Sequence, residues 1–119
     1  MNYLAHAYLS FNEAGIITGN MISDFVKGKK KFDYNESIQN GITLHRAIDE
    51  FTDSHRVTKQ AKLFFKADYR LYSGAFVDVV YDHFLAIDEN EFTEETLKVF
   101  SLRTYQLLQA EEKILIANF

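Results

Sequence analysis

Apolar residues recur along most of this chain at intervals of three and four, the spacing of one face of an α-helix. Residues 2–10, NYLAHAYLS, place Leu4, Ala5, Tyr8 and Leu9 in such a row, with His6 between them. Asn12 is the expected cap of a second short helix over about 13–18, and Gly19-Asn20 is expected to break it. Residues 20–27, NMISDFVK, predict a further turn or two ending at Gly28, a residue type suited to follow a helix C-terminus. Lys27 to Asp33 predict an exposed basic loop.

The next helix starts at Asn35 as N-cap, with Glu36 in its first turn, and runs to Ser54-His55. Ile38, Ile42, His45, Ile48, Asp49 and Thr52 share its broad face. Gly41 inside it costs about 1 kcal/mol relative to Ala, so either another backbone passes close by or the cost is tolerated. Residues 57–71 predict a helix with Ala61, Phe64, Phe65 and Tyr69 inward and Lys59, Lys62 and Lys66 solvated. Ser73 or Gly74 opens another over about 75–87. Its predicted core face is Phe76, Val79, Val80, His83, Phe84 and Ile87, with Asp78 and Asp82 on the flank. Thr93, Glu94, Glu95 and Thr96 form an imperfect capping box for a last helix from about 94 into the 110s.

Composition sharpens this picture. There is no proline and there are only 5 glycines in 119 residues, so little interrupts a helix and the predicted class is all-α. The length suits one helical-bundle domain over residues 1–119. Cysteine is absent, so any metal must be held by nitrogen and oxygen ligands, which suit Mn, Mg, Fe or Zn. A net charge of −4 argues against general nucleic-acid binding. No apolar run approaches the roughly 20 residues of a membrane span. No signal pattern opens the chain, and a cytoplasmic protein is expected. Against the acidic balance, Lys27, Lys29, Lys30 and Lys31 cluster in one short stretch.

The candidate chemistry centres on residues 41–53, GITLHRAIDEFTD. His45 and Asp49 lie one helical turn apart on one face, and Asp53 extends the row. An imidazole and a carboxylate so placed can share a divalent metal or act as an acid/base pair. Asp24 sits among Met21, Ile22, Phe25 and Val26, and Asp82-His83 on a helix rich in Phe and Val. A carboxylate is rarely buried unless it is paired or binds a cation. Helical bundles commonly build metal sites from such groups, and a metal there would serve phosphoryl hydrolysis. Each group also has a plainer reading: a core histidine, an i,i+4 helix pair, repelling surface carboxylates, a solvated lysine loop. Spacing alone reaches a helical domain with a candidate metal site.

Five segments in register carry more. They are N-Y-L-A-H at 2–6, G-N-M-I-S-D-F at 19–25, G-I-T-L-H-R-A-I-D at 41–49, T-D at 52–53 and D-V-V-Y-D-H-F-L at 78–85. Together they resemble the acyl carrier protein phosphodiesterase family over about the first 90 residues; beyond that the chain is short of the family's pattern. The resemblance implies an all-helical fold distantly similar to the HD-domain phosphohydrolases. It implies a divalent metal, typically manganese, with magnesium or iron as alternatives. The implied reaction hydrolyses the phosphodiester joining 4′-phosphopantetheine to a serine of holo-acyl carrier protein. By position, Asp24, His45, Asp49 and Asp82 are expected at the metal, and His6 and His83 as ligands or proton donors. Arg46 is expected to hold a phosphate oxygen. Acyl carrier proteins are strongly acidic, so Lys27, Lys29, Lys30 and Lys31 are expected to dock the partner. The apolar tail Ile114, Leu115, Ile116 and Phe119 suggests pairing with a second copy. Two other classes fit the same residues: a metal phosphohydrolase acting on a nucleotide or small phosphodiester, and a non-catalytic helical module.

Overall fold

A computed structural model describes residues 2–113 and 115. Among the described residues six α-helices follow one another: α1 (Tyr3–Tyr8), α2 (Ala14–Ile22), α3 (Glu36–Ser54), α4 (Arg56–Tyr69), α5 (Ser73–Ile87) and α6 (Glu94–Ala110). Tight 3₁₀ turns cover Ser23–Phe25, Gly28–Asp33 and Arg70–Tyr72, and no strand occurs among the described residues. The predicted all-α class is the observed one.

The caps are those expected from residue type. Asn35 Oδ1 accepts the Ile38 N–H at 3.0 Å and starts α3. Thr93 and Thr96 form a reciprocal capping box at the start of α6, threonine standing where Glu or Gln is usual. His55 closes α3 through its backbone and opens α4 by accepting the Val57 N–H on Nδ1, so this histidine serves the α3–α4 corner. Gly28 has φ +55°, the left-handed region that favours glycine, although it opens a 3₁₀ turn instead of ending a helix.

The tightest joint is between α2 and α3. Gly15 and Gly19, four apart, present one face of α2 to Ser37, Ile38 and Gly41 of α3. A Cβ on Gly19 would lie 2.0 Å from the Ile38 carbonyl oxygen, and one on Gly41 2.3 Å from that of Ile16. Another backbone thus does pass close to Gly41. Contrary to expectation, Gly19-Asn20 does not break the helix, which runs on to Ile22, and the same contact explains why. Glycine lies inside α2 because α3 needs the space. Below the crossing, Ile22, Val26, Tyr34, Ile38 and Ile42 form the core, with Leu115 packed on it. The other tail residues named above, Ile114, Ile116 and Phe119, lie outside the described residues.

The inward faces of α4 and α5 differ from expectation. Phe64 is 79% exposed, and Val79, His83, Phe84 and Ile87 are exposed as well. Thr58 and Val77 are buried instead, with Thr58 hydrogen-bonded to the Tyr81 hydroxyl. Phe65, Tyr69 and Phe76 join the two helices by ring contacts. Both helices carry apolar residues on more than one side, so periodicity alone selects no single inward face. The molecule is a slab of 43 × 37 × 20 Å. Its Cα radius of gyration is 15.3 Å, against roughly 13.5 Å for a compact domain of this length.

Candidate metal centre

Three elements converge on one point. α1 supplies His6, the turn after α2 supplies Asp24, and successive turns of α3 supply His45 and Asp49. His6 and His45 are buried, and their rings stack with centroids 3.8 Å apart and planes 11° from parallel. Asp49 reaches both: Oδ1 lies 3.1 Å from His6 Nε2 and Oδ2 lies 3.2 Å from His45 Nε2. Asp24 approaches from the open side, with Oδ1 3.2 Å from His45 Nε2. Among the described residues, His6, His45 and Asp49 offer ligand atoms that all lie within 4.8 Å of one another.

The protonation pattern favours a cation here. His45 Nδ1 is 2.8 Å from the Asn20 carbonyl oxygen, which can only accept, so Nδ1 carries the proton. In the neutral ring, Nε2 then presents a bare lone pair. That atom is buried and makes no hydrogen bond among the described residues, although a carboxylate oxygen of each aspartate lies at 3.2 Å. A lone pair facing two carboxylates is repulsive unless a positive charge lies between them. Two imidazoles and two carboxylates are also a donor set suited to Mn, Fe, Zn or Mg. The residues present fit a divalent metal.

Burial holds the His6 pKa below its ordinary value, and the neighbouring His45 pushes it further the same way, against Asp49. The unfolded chain therefore takes up this proton before the folded one does. Stability is fully present above the ordinary value of 6.5 and is lost as the pH falls below it towards the lowered folded value. Urea unfolding of metal-free protein is expected to show this loss. His6→Gln should flatten that part of the profile; an unchanged profile would contradict the assignment.

The remaining expected residues lie at the cavity wall, beside it or away from it. Arg46 lines the same cavity, of about 320 Å³, with Asp24, Lys27, His45 and Asp49. Its Nη2 donates to the Val26 carbonyl at 3.2 Å, which holds the guanidinium at the wall. Lys29 and Lys30 lie exposed on the adjoining 3₁₀ turn, and Lys31 stands over the Phe32 ring. His83 is exposed on α5 and packs edge-on to Phe84, outside the cluster. Asp53 pairs with Lys62 at 3.6 Å.

Asp82 is engaged elsewhere. Its two oxygens accept the Leu4 and Ala5 N–H groups at 2.8 and 2.9 Å, so it caps α1 from across the fold. This is a sufficient role for a carboxylate on an apolar helix, and Asp82 is left out of the ligand set proposed below. Asp82→Ala is expected to cost about 1–2 kcal/mol in urea unfolding, the scale of a lost cap. The folded Asp82→Asn protein should keep its metal affinity within a few-fold; loss of metal from a folded Asp82→Asn protein would restore the ligand role.

Sequence reasoning missed Asn20. It is fully buried and contacts both histidines. A polar amide in an apolar helical run was the available signal, and its neighbour Gly19 made the pair look like a break.

Comparison with known proteins gives the site a context. Residues 1–119 match the family described as acyl carrier protein phosphodiesterase. Over 86 residues the chain is 42% identical to a Yersinia pestis protein and 41% to one from Pectobacterium atrosepticum. Over 88 residues it is 35% identical to one from Photorhabdus laumondii. All three relatives are named acyl carrier protein phosphodiesterase. The first two alignments cover 72% of this chain and 45% of each relative, so the chain spans about half their length. No solved structure matches. The chain belongs to the acyl carrier protein phosphodiesterase family.

Proposed function

We propose that this chain, acting as one helical domain, hydrolyses the phosphodiester joining 4′-phosphopantetheine to the serine of holo-acyl carrier protein. His6, His45, Asp49 and Asp24 would hold a divalent cation, manganese in preference to magnesium or iron. The observation that carries this reading is the buried Nε2 of His45, without a hydrogen bond among the described residues and facing Asp24 and Asp49 at 3.2 Å each. When bound, such a cation acidifies water and neutralises charge on a phosphoryl oxygen.

The chain's own residues do the rest. Arg46 at the cavity wall grips a second phosphate oxygen through its free guanidinium edge. Water adds to phosphorus, the bond from phosphorus to the serine oxygen breaks, and that oxygen leaves with a proton. The products are apo-carrier protein and 4′-phosphopantetheine. Because the ligand histidines must be neutral, metal affinity and activity both fall in acid.

Lys27 at the cavity lip and Lys29, Lys30 and Lys31 beside it would receive the acidic carrier protein. Exchanging three of these lysines for Glu is expected to raise KM for the carrier protein and weaken its salt dependence. An unchanged KM would remove the docking role. Pairing of two copies through the apolar tail belongs to the same proposal, and a monomeric mass in light scattering at working concentration would remove it.

The decisive assay is mass analysis of holo-acyl carrier protein incubated with the purified chain and Mn²⁺. Loss of the phosphopantetheine mass, abolished by chelator and by Asp24→Ala, is expected. Intact holo-carrier protein with turnover of a nucleotide diester would turn the reading to a different metal phosphohydrolase.

A further inference from the structure

The buried network behind the cluster holds a residue to which no role attaches so far. Asn20, Ser10 and His6 are each at most 1% exposed. The Asn20 amide Nδ2 donates to the His6 carbonyl at 3.0 Å and to Ser10 Oγ at 2.9 Å. Ser10 Oγ donates to the same carbonyl at 2.6 Å. That carbonyl lies where α1 ends, and the Ser10 N–H that would bond it in a continued helix goes to Ala7 instead. On its other side, Asn20 offers two acceptors to the His45 ring: its backbone oxygen at 2.8 Å and Oδ1 at 3.1 Å from Nδ1.

The amide has one workable orientation. Turned over, its oxygen would face the His6 carbonyl, two acceptors with no proton between them. Every polar atom of the side chain is thus committed, one end to α1 and the other to α3. The Gly19–Gly41 contact lets α2 come close enough for this reach.

We infer that Asn20 is a positioning residue that clamps the two stacked histidines and fixes His45 as the Nδ1–H tautomer, turning its Nε2 lone pair towards Asp24 and Asp49. The tautomer follows mainly from the nearer backbone oxygen, and the side chain holds His6 in register against the His45 ring. Hydrogen-bond partners of this kind typically contribute 10–100-fold to metal affinity. The inference rests on the reading of His45 as a metal ligand, but its first test does not.

That test is a long-range ¹H–¹⁵N spectrum of the metal-free full chain at about pH 8.5, two units above the ordinary imidazole pKa. His45 should show a protonated Nδ1 and a bare Nε2; a protonated Nε2 would overturn the inference without any variant. Next, Asn20→Ala should shift the ring resonances of both histidines and weaken Mn²⁺ binding by roughly 10–100-fold while helical content is retained. A folded Asn20→Ala protein with wild-type ring shifts and wild-type Mn²⁺ affinity would reduce Asn20 to an ordinary core amide. If Asn20→Ala does not fold, Ser10→Ala removes one arm of the same clamp and should weaken Mn²⁺ several-fold; unchanged affinity overturns the inference. Wild-type protein showing the expected tautomer but no Mn²⁺ binding would support the tautomer assignment and refute the metal centre.

Discussion

Gly41→Ala is expected to destabilise the protein by about 3 kcal/mol or more, the upper range for overpacking a tight contact. On an isolated helix the same change would stabilise by about 1 kcal/mol. The sign reverses because the new Cβ would sit 2.3 Å from the Ile16 carbonyl oxygen and 2.9 Å from Asn20 N and Gly19 Cα. These are backbone atoms, which cannot rotate aside, so α2 and α3 must separate. His45 lies one turn beyond Gly41 and donates its Nδ1 hydrogen bond to Asn20, the residue after Gly19, so separation also loosens the cluster. Gly74→Ala is the control: its nearest neighbours are the flexible Lys62 Cε and Nζ at 3.5 and 3.7 Å. Urea unfolding should find Gly74→Ala neutral or slightly stabilised and Gly41→Ala strongly destabilised. Equal stabilities would mean that the helices do not cross at these glycines.

Asp49→Asn should separate activity from stability. Asp49 bridges the Nε2 atoms of both histidines, through Oδ1 to His6 and Oδ2 to His45. The amide keeps the shape but removes the charge and offers donors where lone pairs were. Losing several kcal/mol of transition-state stabilisation corresponds to about 10³-fold in kcat/KM for holo-carrier protein, with Mn²⁺ affinity falling too. The metal-free fold should hold within about 1 kcal/mol, because the amide oxygen that replaces the carboxylate can still accept from His6 Nε2, at the 3.1 Å where Asp49 Oδ1 now lies. Activity retained within tenfold would show that Asp49 is a neighbour of the centre and not part of it.

Local chemistry was legible in this sequence where a signal acts over a single turn. The Asn35 and Thr93 caps, the α3 boundaries and the His45–Asp49 spacing all depend on residues within four positions of one another. Gly41 advertised a close approach, though not what approached. The meeting of His6 and Asp24 with that pair depends on how α1 and the turn after α2 dock on α3, and it came from the family resemblance. Asp82 shows the limit most clearly. A carboxylate on an apolar helix must have a partner, and both a metal and a distant helix N-terminus satisfy that rule. Only the fold shows Leu4 and Ala5 as its partners, 78 and 77 positions away. The faces of α4 and α5 were misread for another reason. Leu71, Tyr72, Phe64 and Phe84 remain exposed, so apolar character there does not mark the interior.

If His6, His45 and the two aspartates hold one divalent cation, Mn²⁺ bound there reports on its own ligands. Pulsed electron spin resonance of the Mn²⁺-loaded chain, with ¹⁵N-labelled histidine, counts the imidazole nitrogens coupled to the ion. We expect one bound Mn²⁺ with two coupled histidine nitrogens, falling to one in His6→Gln and to none when His45 is also replaced. A bound ion with no coupled histidine nitrogen, or no bound ion in folded wild-type protein, would rule out a metal centre at these residues.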